Sequence, residues 1–157
     1  MNIHNINMRT LIIITLLFNL TACSQAWVKK EGEEISKTDL FEIQTQANTD
    51  YLNDDLQASE KGYQILIQEM PAIALNWFRL GNIYVRTNRP DAAISLYREA
   101  VIRDPAYAKA WYNLSVVQLK QTAYSLNEML IYTEESDPLY TKAKGMLDGI
   151  YVIIKQD

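Results

Sequence analysis

Residues 74–107 read ALNWFRLGNIYVRTNRPDAAISLYREAVIRDPAY, and the reading of this stretch decides the fold. Trp77, Leu80, Gly81 and Tyr84 recur at helical spacing, and so do Ala93, Tyr97 and Ala100 on a following segment. Between the two, Asn88-Arg89-Pro90-Asp91 has turn chemistry, with Asp91 expected to cap the second helix. Asp104-Pro105 ends that helix and starts the next, because proline suits a first helical turn and no interior position. Gly81 and Ala93 are small where two helices would cross closely, while Trp77, Leu80, Tyr84 and Tyr97 fill the space between helices. The pattern then returns 34 residues away: Pro71 with Pro105, Ala72 with Ala106, Ala74 with Ala108, Trp77 with Trp111 and Leu80 with Leu114. Matches at a single period mean internal repetition, not chance composition.

A 34-residue period carrying W-x2-L-G-x2-Y, then Ala93, Tyr97, Ala100 and Pro105, resembles the tetratricopeptide repeat, a helix–turn–helix unit. Flanking units are more degenerate. From Ala108 to about Leu139 the motif opens with Trp111 and Leu114, but Ser115 replaces Gly, Gln118 replaces the aromatic, and Asn127 and Glu134 replace the small residues. No Gly or Pro breaks residues 120–124, so the two helices are joined there by an atypical turn or run on as one. Upstream, Ser59, Tyr63 and Pro71 match Ala93, Tyr97 and Pro105, with residues 39–56 as a partner helix that lacks the Trp and Gly. Residues 137–155 read as a terminal helix, whose Gly145 and Gly149, one turn apart, favour close helix packing. The expected fold is an all-α, tetratricopeptide-like solenoid of about six antiparallel helices with a C-terminal capping helix, spanning residues 38–157.

Residues 1–22 read as a secretory signal: Arg9 is the basic residue, and residues 11–20 form an apolar run too short to cross a bilayer. Met8-Arg9 is a second possible start. Leu20-Thr21-Ala22-Cys23 resembles the lipobox of bacterial lipoproteins. The resemblance implies cleavage before Cys23, which would carry a thioether-linked diacylglycerol and an N-acyl chain, the only cofactor-like group expected. Several acyl chains on one residue anchor firmly, whereas one is marginal. Ser24, rather than Asp, after the Cys implies the outer membrane, periplasmic face, in a Gram-negative cell. Residues 23–37 read as the lipidated terminus and a polar tether, about 45 Å long if its 14 residues after Cys23 were extended. Trp27 in the tether lies at the lipid interface or docks on the body.

Composition narrows the function. The net charge of −4 disfavours nucleic acid as a partner. The single His and single Cys fall within the first 23 residues, so a processed body has neither His-based triads, Cys nucleophiles nor Cys/His metal sites. The paired carboxylates Asp54-Asp55, Glu33-Glu34 and Glu134-Glu135 do not converge on a helix, and no phosphate loop or nucleophile elbow occurs, so no catalytic residues are nominated.

The family resemblance implies a concave groove lined by the first helix of each pair. Its positions here are Leu75, Phe78, Asn82, Val85 and Arg86, then Lys109, Tyr112, Val116, Leu119 and Lys120, with Asn113 beside them. More than half are apolar and the charges are Arg and Lys, which suits an apolar peptide with an acidic group or a C-terminal carboxylate. A true carboxylate clamp is poorly matched, because Phe78 stands where a Lys is needed and Val116 where a second Asn is needed. A groove filled by the protein's own N-terminal helix is a further possibility.

The leading expectation is an outer-membrane-anchored interaction scaffold for an envelope protein or peptide, resembling pilotins and other repeat lipoproteins that assist pilus or secretion-system assembly. The alternatives are an adaptor docking peptidoglycan synthases or hydrolases, and a small-ligand binder or enzyme using the Tyr-rich interior.

Overall fold

The computed structural model describes residues 35–155, and the expected signal, Cys23, Trp27 and the rest of residues 1–34 lie outside them. Six helices follow one another: α1 (Lys37–Leu52), α2 (Leu56–Glu69), α3 (Ala74–Arg86), α4 (Pro90–Arg103), α5 (Ala108–Tyr132) and α6 (Pro138–Ile154). No strand occurs among the described residues. Each helix packs on its neighbours in the chain, as in a stack of antiparallel hairpins. None of the six is long and apolar enough to cross a membrane.

Local chemistry sets the boundaries. Ser36 and Asp39 close a capping box, each side chain accepting the other's backbone N–H at 3.2 Å, so Ser36 and Lys37 of the expected tether belong to α1. Asp55 caps α2 by accepting from the Ala58 N–H at 3.0 Å, and Asp137 caps α6 by accepting from the Leu139 N–H at 2.7 Å. Asp91 does not cap α4. Pro90 takes the first helical position, where its fixed φ and missing N–H suit it, and Arg89 becomes the residue before the helix. Pro105 likewise stays in the loop: α4 ends at Arg103 and α5 starts only at Ala108.

The 34-residue period reappears in three dimensions. Asp54 and Asn88, one period apart, are the non-glycine residues with positive φ, at 66° and 58°, each in the turn between a helix pair. The Tyr97 hydroxyl donates to Asn82 Oδ1 at 2.8 Å, and one period earlier the Tyr63 hydroxyl donates to Asn48 Oδ1 at 3.0 Å. The Trp77 and Trp111 indole N–H groups donate to the carbonyls of Pro71 and Pro105 at 2.8 and 3.0 Å. Where α1 and α2 cross, Ala47 replaces the Gly, and Ser59 donates its hydroxyl to the Ala47 carbonyl at 2.8 Å.

Two apolar clusters hold the later helices. Phe78, Tyr97, Val101, Leu114 and their neighbours join α3, α4 and the first half of α5. Ala123, Leu147 and Ile150, flanked by Leu119 and Leu126, join the second half of α5 to α6. One helix serves both clusters because α5 continues for 25 residues. The position where the period calls for a turn holds Gln121-Thr122-Ala123-Tyr124, with no Gly, Pro or Asn to break the ladder. Thr122 and Ser125 donate their hydroxyls to the carbonyls four residues back, at 2.9 and 3.1 Å. Gly145 and Gly149, expected at a close crossing, face open space instead.

Candidate functional site

The first helices of the pairs line a groove. A concavity of about 320 Å³ lies between Tyr51 of α1, Asn82, Val85 and Arg86 of α3, and Asn113, Val116 and Lys120 of α5, with Tyr97 and Val117 also in its lining. A second, of about 520 Å³, adjoins it through Val85, Val117 and Lys120 and extends to Asn88, Asp91, Gln121 and Tyr124. Together they form one channel over the inner faces of α1, α3 and α5.

Of the eleven positions expected from the repeat, the structure brings six together here: Asn82, Val85, Arg86, Asn113, Val116 and Lys120. Phe78 does not join them. It is 8% exposed, its ring tilted against Tyr97 and Tyr107 at centroid distances of 5.9 and 4.9 Å, and it belongs to the interior. Leu119 packs on the α5–α6 cluster rather than the groove. Leu75, Lys109 and Tyr112 are exposed but lie outside the channel lining, nearer the N-terminal ends of their helices.

Polar groups in the channel are arranged in pairs. Asn82 Oδ1 accepts from both the Tyr97 hydroxyl and Asn113 Nδ2, each at 2.8 Å. That leaves the amide N–H2 of Asn82 and the amide oxygen of Asn113 for an occupant, one donor beside one acceptor. Burial, partly offset by the Asn113 hydrogen bond, pushes the Tyr97 phenol up to about 12, so it stays protonated and remains a donor.

The charges are more balanced than the composition of the groove suggested. Arg86 pairs with Asp54 and lies 5.1 Å from the centre of the Tyr51 ring, with Arg79 at 5.0 Å from the same ring. Asp91 lies in the channel and accepts from Gln121 Nε2 at 2.5 Å. Lys120 is the cation of the channel that makes no ion pair among the described residues. The expected excess of positive charge is thus replaced by near neutrality, which does not select an acidic ligand.

Tyr51, Asp91, Gln121 and Tyr124 were missed from sequence. Tyr51 could have been found, since it stands one period before Val85. Gln121 and Tyr124 could not, because they face the channel only through the uninterrupted run of α5. Behind the groove, Arg89 holds Glu60 through two guanidinium nitrogens and stacks 3.8 Å from the Tyr84 ring centre. The Arg89 hydrogen bonds keep the Glu60 carboxyl below its ordinary range despite partial burial. No group of three His, Cys, Asp or Glu residues gathers as metal ligands among the described residues.

Comparison with known proteins agrees with the repeat. The family described as Tetratricopeptide repeat matches residues 75–117. No curated protein matches the chain. Among solved structures, the Yersinia enterocolitica Type III secretion translocator chaperone SycD is similar, with a TM-score of 0.55 and 19% identity, over 78% of this chain and 90% of that one. The chain thus has an all-α, tetratricopeptide-like solenoid fold.

Proposed function

We propose that the protein is a lipid-anchored adaptor of the outer membrane that holds an extended segment of an envelope protein in the α1–α3–α5 groove during assembly of a pilus or secretion machine. The observation that carries the reading is the free amide N–H2 of Asn82 beside the free amide oxygen of Asn113, in a channel bounded by Val85 and Val116. A donor and an acceptor side by side match one backbone peptide unit, and the apolar walls match the side chains on either hand. Anchoring would confine the groove to a thin layer and raise the effective concentration of its partner. The fold it shares with a secretion translocator chaperone supports a holding role, and Leu20-Thr21-Ala22-Cys23 supports the anchor.

The test uses the full chain in its own envelope, with a photoreactive residue at Val116 or Lys120. A cross-link to a pilus or secretion component, lost with Asn82→Leu while the melting temperature holds, is the expected result. Cross-links to wall synthases or hydrolases would replace the assembly reading with the wall-enzyme adaptor. Fractionation of Cys23→Ser should move the protein from membrane to soluble fraction, and retention in the membrane would end the anchor model.

A further inference from the structure

The last described helix has an apolar flank that no other described residue covers. α6 packs on α5 through Leu147 and Ile150, with Ala143 also buried. On the flank beside that stripe, Leu139, Met146 and Ile153 are 53%, 57% and 56% exposed. They are seven residues apart, and Lys142 and Gly149 fall between them, so 139, 142, 146, 149 and 153 alternate steps of three and four. That is the spacing of a helix–helix seam. This flank exposes three large apolar side chains, where the end helices of helical stacks ordinarily present polar groups to solvent.

The glycines say what kind of neighbour fits. Gly62 and Gly81 stand mid-helix where a Cβ would lie 2.6 Å from an atom of the adjoining helix. Gly145 and Gly149 also stand mid-helix, with nothing within 4 Å. A helical glycine costs about 1 kcal/mol relative to alanine. At Gly62 and Gly81 close approach offsets that cost, and at Gly149, the glycine on this seam, no described residue supplies an offset. A lipid surface would accept alanine equally well, whereas another helix gains from the closer approach.

Charge selects the partner and its direction. Glu134, Glu135 and Asp137 lead into α6, and Lys155 follows it. Two copies of α6 laid antiparallel set Lys155 of each beside Glu135 and Asp137 of the other. In that register Met146 meets Met146 of the second copy at the two-fold axis, and Leu139 of each faces Ile153 of the other. Parallel pairing would set acid against acid. We propose that the apolar flank of α6 is a two-fold self-association surface that pairs antiparallel with α6 of a second copy. This surface is separate from the groove and does not depend on the role assigned there.

Sedimentation velocity of the full chain over a concentration series should show twice the monomer mass. Met146→Glu should weaken the dimer about tenfold or more, with far-ultraviolet circular dichroism and melting at high dilution unchanged. In a Cys23→Ser background, mixing Leu139→Cys chains with Ile153→Cys chains should yield a disulfide-linked pair, and Leu52→Cys chains should not. A monomer at all concentrations, or a dimer untouched by Met146→Glu, overturns the proposal. So does a monomer that binds vesicles of phosphatidylcholine and phosphatidylglycerol through this face.

Discussion

Alanine placed at three helical glycines should split by sign, and Gly81→Ala is the decisive case. A Cβ on Gly81 would stand 2.6 Å from Tyr97 Cε1, 2.8 Å from Cδ1 and 3.2 Å from Cζ. The ring has little room to yield: Tyr97 is 1% exposed, its hydroxyl is held by Asn82 at 2.8 Å, and Phe78 packs against it. Overpacking a filled interior costs about 1–3 kcal/mol, and a clash with three ring atoms belongs near the top of that range. Removing a mid-helix glycine returns about 1 kcal/mol. The net is a loss of about 2 kcal/mol, or about 8 °C in melting temperature for a domain of this size. Gly145→Ala meets nothing within 4 Å, keeps only the propensity gain, and should rise by about 4 °C. Gly62→Ala, facing Ala47 Cβ at 2.6 Å, should fall like Gly81→Ala. Thermal melts by circular dichroism at high dilution read all three. A Gly81→Ala protein as stable as the parent would refute the tight α3–α4 crossing and the repeat geometry built on it.

Stability should decline in alkali. The raised phenol of Tyr97 means that the unfolded chain loses its proton first, so this contribution is complete below pH 10 and disappears as pH climbs toward about 12. Two pKa units correspond to about 3 kcal/mol, and urea unfolding across that window should be visibly flatter for Tyr97→Phe; an unaltered slope would mean the phenol is not the group responsible. Asn76 is wholly buried and neither its amide nitrogen nor its oxygen has a hydrogen-bond partner. Asn76→Leu should therefore raise the unfolding free energy by about 1 kcal/mol, whereas a drop would reveal that the amide is satisfied in solution.

The helix pair at residues 74–107 was legible because each of its contacts is local to one period. Gly81 must be small to admit Tyr97, and Asn88 must tolerate positive φ, so residue type and place are bound together. The upstream pair was legible through Ser59 and Tyr63 even without the Trp and Gly, since the hydroxyls of both find partners on α1. The groove was half legible. Register placed Asn82, Val85, Arg86, Val116 and Lys120 on one face, but Phe78 was lost to Tyr107, a loop residue that no helical register describes. The net charge of the groove was misjudged because Asp54 and Asp91 reach it from turns and a second helix. At Gly145 and Gly149 spacing identified a face and could say nothing of its neighbour.

The unbroken course of α5 has a mechanical consequence. Longer helical arrays owe their springiness to a hinge between successive hairpins, yet here one rod of 25 residues, about 37 Å, belongs to two interiors at once. A load applied at the far end, through whatever grips α6, travels along that rod to Asn113 and Val116 without a joint to absorb it.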